Sequence, residues 1–166
     1  MLVVVLSTSK DTSLSKNNYF QTGKNKRGKK AVIFDLDGTL ADTEDYEALH
    51  KINSDEFRAV ARHAEPYPQM VAKAIEAKRA GRDVVILTAR SAHYRKDTTE
   101  WLHKHGIPYD QLYMRPIDNT EKDKKIKREI LEDQILPNFK VKKAYDDKKK
   151  NVKMFLKEGI DAEQVN

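Results

Sequence analysis

Short apolar runs alternate with amphipathic stretches from Ala31 to the end of the chain. Ala31-Val32-Ile33-Phe34, Val84-Val85-Ile86-Leu87 and Leu112-Tyr113-Met114 are continuous apolar runs of strand length, as expected for strands buried on both faces. Val141 to Tyr145 predicts a fourth strand and Gln164-Val165 a short edge strand. Between them the period lengthens. Pro68 to Ala80 carries Met70, Val71, Ala74 and Ile75 along one side of a helix that stops at Gly81. Asp97 to His105 predicts a helix closing at Gly106, and Asp123 to Leu136 places Ile126, Ile130 and Leu131 at helical spacing. Val152, Phe155 and Leu156 mark a last helix ending at Gly159. Residues 44–63 are only weakly amphipathic, with Tyr46, Leu49, Ile52, Phe57, Val60 and Ala61. They predict a small helical cap or insert at about 41–65.

Parallel neighbours need crossover connections, so this alternation predicts an α/β fold: a Rossmann-like, three-layer parallel sheet with helices on both faces. The chain has 166 residues, room for one such domain, at 31–166. Residues 1–30 look different. After the run Met1 to Leu6, the stretch Ser7 to Lys30 is rich in Ser, Thr, Asn, Gly and Lys, which predicts a basic, flexible extension. Its opening run lacks a basic flank and is too short for a secretory core or a membrane span, so no membrane partner is expected. Gly23 to Lys30 superficially fits a phosphate-binding P-loop. It fails because Lys30 stands where Ser or Thr should hold Mg2+, the preceding residues are polar, and a strand follows instead of a helix.

In open parallel sheets ligands bind beyond the carboxyl ends of the strands. The informative residues should therefore follow Phe34, Leu87, Met114 and Tyr145. After Phe34 come Asp35 and Asp37, two apart and so able to face one site, then Gly38 for a sharp turn and the Thr39 hydroxyl. After Leu87 come Thr88 and Arg90, suited to phosphate oxygens. Arg115 follows Met114, and Asp146-Asp147 follow Tyr145. Any one of these has an ordinary structural explanation as a cap, turn former or surface pair. Their coincidence at the four places nominated by topology points to one oxygen-rich site for a hard divalent cation, most plausibly Mg2+.

These residues resemble the motifs of the haloacid dehalogenase superfamily of phosphotransferases. Asp35-Leu36-Asp37-Gly38-Thr39-Leu40 looks like its first motif, Thr88 its second, a downstream lysine its third, and Asp146-Asp147 with Asn151 its acidic fourth. The resemblance covers residues 30–165. It implies that Asp35 is the nucleophile forming an aspartyl-phosphate, and that Asp37 is the general acid and base. It implies Mg2+ held by Asp35, the Asp37 carbonyl and Asp147, with help from Asp146. More narrowly, Met114-Arg115-Pro116, Asp123 through Leu131, Lys143 through Asp147, Trp101-Leu102 and Gly106-Ile107-Pro108 are similar to the 3′-phosphatase domain of phage polynucleotide kinase-phosphatases and their free-standing relatives. That likeness implies Thr88 and Arg90 on the scissile phosphate, Arg115 serving the site, Asp123 orienting its neighbours, and Lys127 as the third-motif lysine. The chain departs from the pattern at Asp118-Asn119, Glu121 and Lys124, and the arginine that such domains carry soon after the first motif has no evident counterpart.

Composition narrows the setting. No cysteine is present, which excludes disulfide-linked partners, thiolate metal sites and cysteine nucleophiles, and a reduced, cytoplasmic location is the natural expectation. The formal charge of +6 is unevenly placed. Residues 1–30 and 115–157 each carry +6, whereas the remaining stretches are acidic. The resemblance implies 3′-phosphorylated DNA or RNA ends as substrate, and basic blocks beside the site could hold their phosphodiester backbone. The expected function is thus a Mg2+-dependent polynucleotide 3′-phosphatase. The alternatives are a 5′(3′)-nucleotidase or small-metabolite phosphatase of the same superfamily, and a catalytically silent nucleic-acid-binding protein on this fold, against which the retention of both Asp35 and Asp37 counts.

Overall fold

The computed structural model describes residues 28–44 and 55–166. Five strands form one sheet in the order β3-β2-β1-β4-β5, with β1 at Lys29–Phe34, β2 at Asp83–Ser91, β3 at Gln111–Arg115, β4 at Phe139–Asp146 and β5 at Ala162–Gln164. Every neighbouring pair is parallel. The helices are α1 (Asp55–Ala61), α2 (Pro68–Arg79), α3 (Arg95–Lys104), α4 (Asp123–Ile130) and α5 (Lys149–Lys157). This is the predicted doubly covered parallel α/β fold.

Alternation along the central strands builds two cores. Val32 and Phe34 of β1 with Val84 and Ile86 of β2 face one side, where Met70 and Ala74 of α2 and Trp101 and Leu102 of α3 close over them. Ala31, Ile33, Val85 and Leu87 face the other, against Ile126 and Ile130 of α4 and Met154 and Phe155 of α5. The unbroken apolar runs in the sequence follow from this burial on both faces.

Element boundaries shift where backbone pairing overrides side-chain polarity. β1 starts at Lys29, because Lys29 and Lys30 pair in register with Phe139 and Lys140, and a ladder needs only backbone groups. The first strand therefore begins two residues before Ala31. The helix predicted over Asp123 to Leu136 widens after Ile130 into a π-helical turn at Leu131–Ile135, which keeps both Leu131 and Ile135 buried before Pro137. β5 is Ala162–Gln164, one step earlier than predicted, since Val165 leaves the ladder to enter the first core.

Of the predicted insert, α1 and the two ends lie within the described residues; Tyr46, Leu49 and Ile52 do not, nor does the extension up to Arg27. The ends are drawn together by Asp42 N–H donating to the Glu65 carbonyl at 2.8 Å and by the Trp101 indole donating to the Ala64 carbonyl at 2.8 Å. Phe57 and Ala61 are the buried residues of α1. No helix among the described residues is long and apolar enough to cross a membrane.

Burial sets the cost of truncation. Leu102, fully buried between α3 and the sheet, should destabilise the protein by about 3 kcal/mol when replaced by Ala. Leu156, half exposed on α5, should cost under about 0.5 kcal/mol. Urea unfolding of the two variants measures the contrast.

Candidate active site

Two strand ends deliver the acids. Asp35 follows β1 and its backbone N–H donates to the Tyr145 carbonyl at 2.9 Å, which fixes the β1 exit against that of β4. Asp146 ends β4, and Asp147 follows it. Ligand oxygens of Asp35, Asp146 and Asp147 all lie within 4.8 Å of one another.

One cation stands among them. Lys127, on α4, is 1% exposed and donates at 2.7 Å both to Asp35 Oδ1 and to Asp146 Oδ2. Asp123, one helical turn earlier, is 3.8 Å from the same ammonium. Burial lowers the lysine, yet the carboxylates of Asp146, Asp35 and Asp123 outweigh it and hold the ammonium well above its ordinary range. Burial pushes Asp35 well above the carboxylate range; Lys127 offsets part of this, and Asp146 and Asp147 add repulsion. Asp147 is raised by burial and by Asp146. Asp123 moves the other way: burial raises it, but Lys127, Lys148, Lys150 and a hydrogen bond from Asn151 together lower it.

Asp146 is the most tightly held acid. Besides Lys127 it accepts the Lys148 N–H at 2.9 Å and the Asn151 side-chain amide at 3.0 and 3.1 Å on its two oxygens. Asp147, in contrast, has a buried oxygen, Oδ1, with no hydrogen-bond partner. Three carboxylates with one ammonium and an orphaned carboxylate oxygen are a donor set that a hard divalent cation satisfies, and the oxygen-only chemistry suits Mg2+. Asp37 is outside this group. Its carboxylate is gripped by Arg90, with Nε 3.1 Å from Oδ2 and Nη2 in close contact with Oδ1.

A break in register between Thr88 and Ser91, where β2 pairs β3, frees the segment carrying Arg90 from the regular ladder. Arg90 is buried; it also donates to Thr98 Oγ1 at 3.2 Å and lies over the Phe57 ring at 5.5 Å. Thr88 is buried and its hydroxyl accepts the Arg90 N–H at 3.0 Å. Thr39 donates to Asp35 Oδ2 at 3.4 Å. Among the described residues, Arg115 makes no ion pair with Asp35, Asp146 or Asp147; its Nε donates to the Ala89 carbonyl at 2.8 Å and its Nη1 to the Glu121 carbonyl. It ties the end of β2 to the loop entering α4, and burial lowers it from the usual arginine range.

The structure thus brings Asp35, Asp146, Asp147, Asp123 and Lys127 into one cluster, seats Thr39 against Asp35, and joins Arg90 to Asp37. Asn151, placed with the fourth motif by the sequence, holds Asp146, while Thr98 and Phe57 carry contacts that the sequence did not assign. Nothing local marks Thr98 or Phe57, which meet Arg90 only through tertiary packing.

A parallel sheet with an acidic cluster at its carboxyl edge is the architecture of haloacid dehalogenase-type phosphatases. The class C acid phosphatase of Bacillus anthracis shares the fold with a TM-score of 0.57 at 19% identity, over 75% of this chain and 53% of that one. Residues 29–166 match the family described as the polynucleotide kinase PNKP phosphatase domain, and the chain belongs to that family. It is 28% identical over 130 residues to an Autographa californica nuclear polyhedrosis virus protein described as a bifunctional polynucleotide kinase/RNA ligase, covering 76% of this chain and 18% of that protein. A chain of the Pnkp1/Rnl/Hen1 RNA repair complex superposes with a TM-score of 0.75 at 30% identity, over 95% of this chain and 47% of that one. The chain thus spans less than half of each of these two relatives.

Two outcomes test the site. Gly38 has φ +79°, and a Cβ there would sit 2.6 Å from Asp147 Oδ2. Gly38→Ala should therefore displace Asp147 and weaken Mg2+ binding about tenfold or more, read by calorimetry. Because Asp35 and Asp147 are raised in the metal-free protein, they must shed protons to bind a cation. Mg2+ affinity should rise with pH from the ordinary carboxylate range upward, with proton release seen as a dependence of the measured heat on buffer ionisation enthalpy.

Proposed function

We propose that this domain is a Mg2+-dependent phosphatase that removes a 3′-phosphate from DNA or RNA ends through an aspartyl-phosphate on Asp35. The observation that carries the reading is Asp35 itself: a buried carboxylate at a strand end, one oxygen fixed by Lys127 at 2.7 Å, beside Asp146 and Asp147. Lys127 orients that oxygen and leaves Oδ2, beside the Thr39 hydroxyl, to attack phosphorus.

Asp35 and Asp147, with help from Asp146 and the Asp37 carbonyl, would hold Mg2+. When bound, the cation supplies the charge neutralisation that lets a carboxylate approach a phosphate. In the first step a bond forms from Asp35 to phosphorus, the bond from phosphorus to the 3′ oxygen breaks, and Asp37 donates a proton to that oxygen. In the second, water attacks phosphorus, Asp37 takes its proton, and the bond to Asp35 breaks to release phosphate. Arg90, paired with Asp37 in the free protein, is offered a competing anion when the phosphate enters. Its shift toward phosphate and Thr88 leaves Asp37 able to carry a proton. Asp123 keeps Lys127 charged and directed, and Arg115 keeps the β2 and α4 loops in register.

Polynucleotide ends are favoured as substrate by the family, by relatives described as a polynucleotide kinase/RNA ligase and as part of an RNA repair complex, and by the lysines around α4 and α5. The test compares phosphate release from 3′-phosphorylated DNA, 3′-phosphorylated RNA and 3′-mononucleotides, with and without Mg2+. Oligonucleotides should be preferred, and the preference should shrink with rising salt, because backbone binding is driven by counterion release. Equal or better turnover of mononucleotides would sink the polynucleotide reading. Asp35→Asn should lower turnover at least about a thousandfold without loss of folding.

A further inference from the structure

β5 and the residues after it reach both acidic loops. In the ladder Gln164 lies opposite Asp146, and Val165 N–H donates to the Asp146 carbonyl at 3.1 Å. Val165 is buried in the first core. Successive residues of a strand face opposite sides, so Gln164 emerges on the side opposite to Val165, and the chain then turns at Asn166, whose φ is positive. Gln164 Nε2 donates to the Asp147 carbonyl at 3.1 Å, and Asn166 Nδ2 donates to the Gly38 carbonyl at 2.8 Å.

Those two carbonyls belong to loops that must hold station. Gly38 follows Asp37, and a Cβ added to it would sit 2.6 Å from Asp147 Oδ2, so a shift of either loop moves Asp147 relative to Asp35. Mg2+ takes oxygens at about 2.0–2.1 Å, so opposite ligands stand about 4 Å apart. The oxygens of Asp35, Asp146 and Asp147 lie within 4.8 Å of one another, near that spacing, so a small shift of either loop changes how they fit the ion. Asn166 adopts φ +60°, a region that Asn tolerates better than most residues, which aims its amide at Gly38.

The geometry points to Gln164 and Asn166 as positioning residues that staple the loop after β1 to the loop after β4 and thereby set the affinity of the divalent-cation site. This rests on the assignment of Asp35, Asp146 and Asp147 to that site, and not on the identity of the phosphorylated substrate. Neither amide touches the reacting atoms; each acts through a backbone carbonyl beside a ligand.

Calorimetric titration with MgCl2, without substrate, separates this role from a purely structural one. Gln164→Leu and Asn166→Gly each remove a donor, and Gly keeps the positive φ available. Each single variant should weaken Mg2+ binding about threefold and the double variant about tenfold, in line with one neutral hydrogen bond lost per site. Asn166→Asp keeps shape but cannot donate when ionised, and should bind no better than Asn166→Gly. The metal-free thermal midpoint should fall by no more than a few degrees, and excess Mg2+ should restore turnover. A double variant binding Mg2+ within about twofold of the unaltered protein would overturn the proposal, as would a large loss of metal-free stability with unchanged affinity. Absence of Mg2+ binding in the unaltered protein would overturn the metal assignment and the staple with it. Failure to act on 3′-phosphorylated ends while these shifts persist would remove only the substrate reading.

Discussion

A buried ammonium shared by carboxylates from two strand ends organises this molecule. Lys127 crosses from α4 to touch Asp35 and Asp146, and those contacts exist only because β1 and β4 are parallel neighbours that end at the same level. Removing one partner from such a buried group typically costs about 3–5 kcal/mol, because a charge is left uncompensated. The cluster is therefore a structural commitment as well as a chemical one. Its acids still outnumber its cation, and the excess negative charge, with the orphaned Asp147 oxygen, is what suits the site to a divalent ion.

Around that centre the remaining polar groups hold positions. Asn151 and the Lys148 N–H fix Asp146, Gly38 makes room for Asp147, and Arg90 with Thr98 and Phe57 fixes Asp37. α1 contributes to the last of these through Phe57 and is itself held to α3, with Arg58 2.6 Å and Arg62 3.3 Å from Asp97. The insert after the first motif is thus linked to the proposed acid and base by a short chain of contacts. The basic character of the chain divides in the same way. Lys127 and Arg90 are buried in ion pairs, Lys148 is half-buried beside Asp123, and most other lysines of the 115–157 block stand in solvent, where a polynucleotide backbone could be met.

The fold was legible because both faces of the central strands are buried, which leaves Ala31 to Phe34 and Val84 to Leu87 as unbroken apolar runs. Topology then nominated the strand ends, and Asp35, Thr88, Asp146 and Asp147 lay there. What local pattern could not carry was pairing across the fold. Arg90 was expected on phosphate, but in the free protein it meets Asp37, a partner 53 positions away. Arg115 was expected to serve the site directly; instead it satisfies backbone carbonyls between β2 and α4. The β5 segment read as an ordinary edge strand, and only its register against β4 reveals that its amides reach the acidic loops.

The central claim is that Asp35 accepts the phosphoryl group. Quenching steady-state turnover of a 3′-phosphorylated oligonucleotide with borohydride, which reduces an acyl phosphate to the alcohol, and mapping the product by mass spectrometry tests it directly. The account predicts homoserine at position 35, formed only in the presence of substrate. Full turnover with no reduced residue there, or with the modification at another carboxylate, would contradict it.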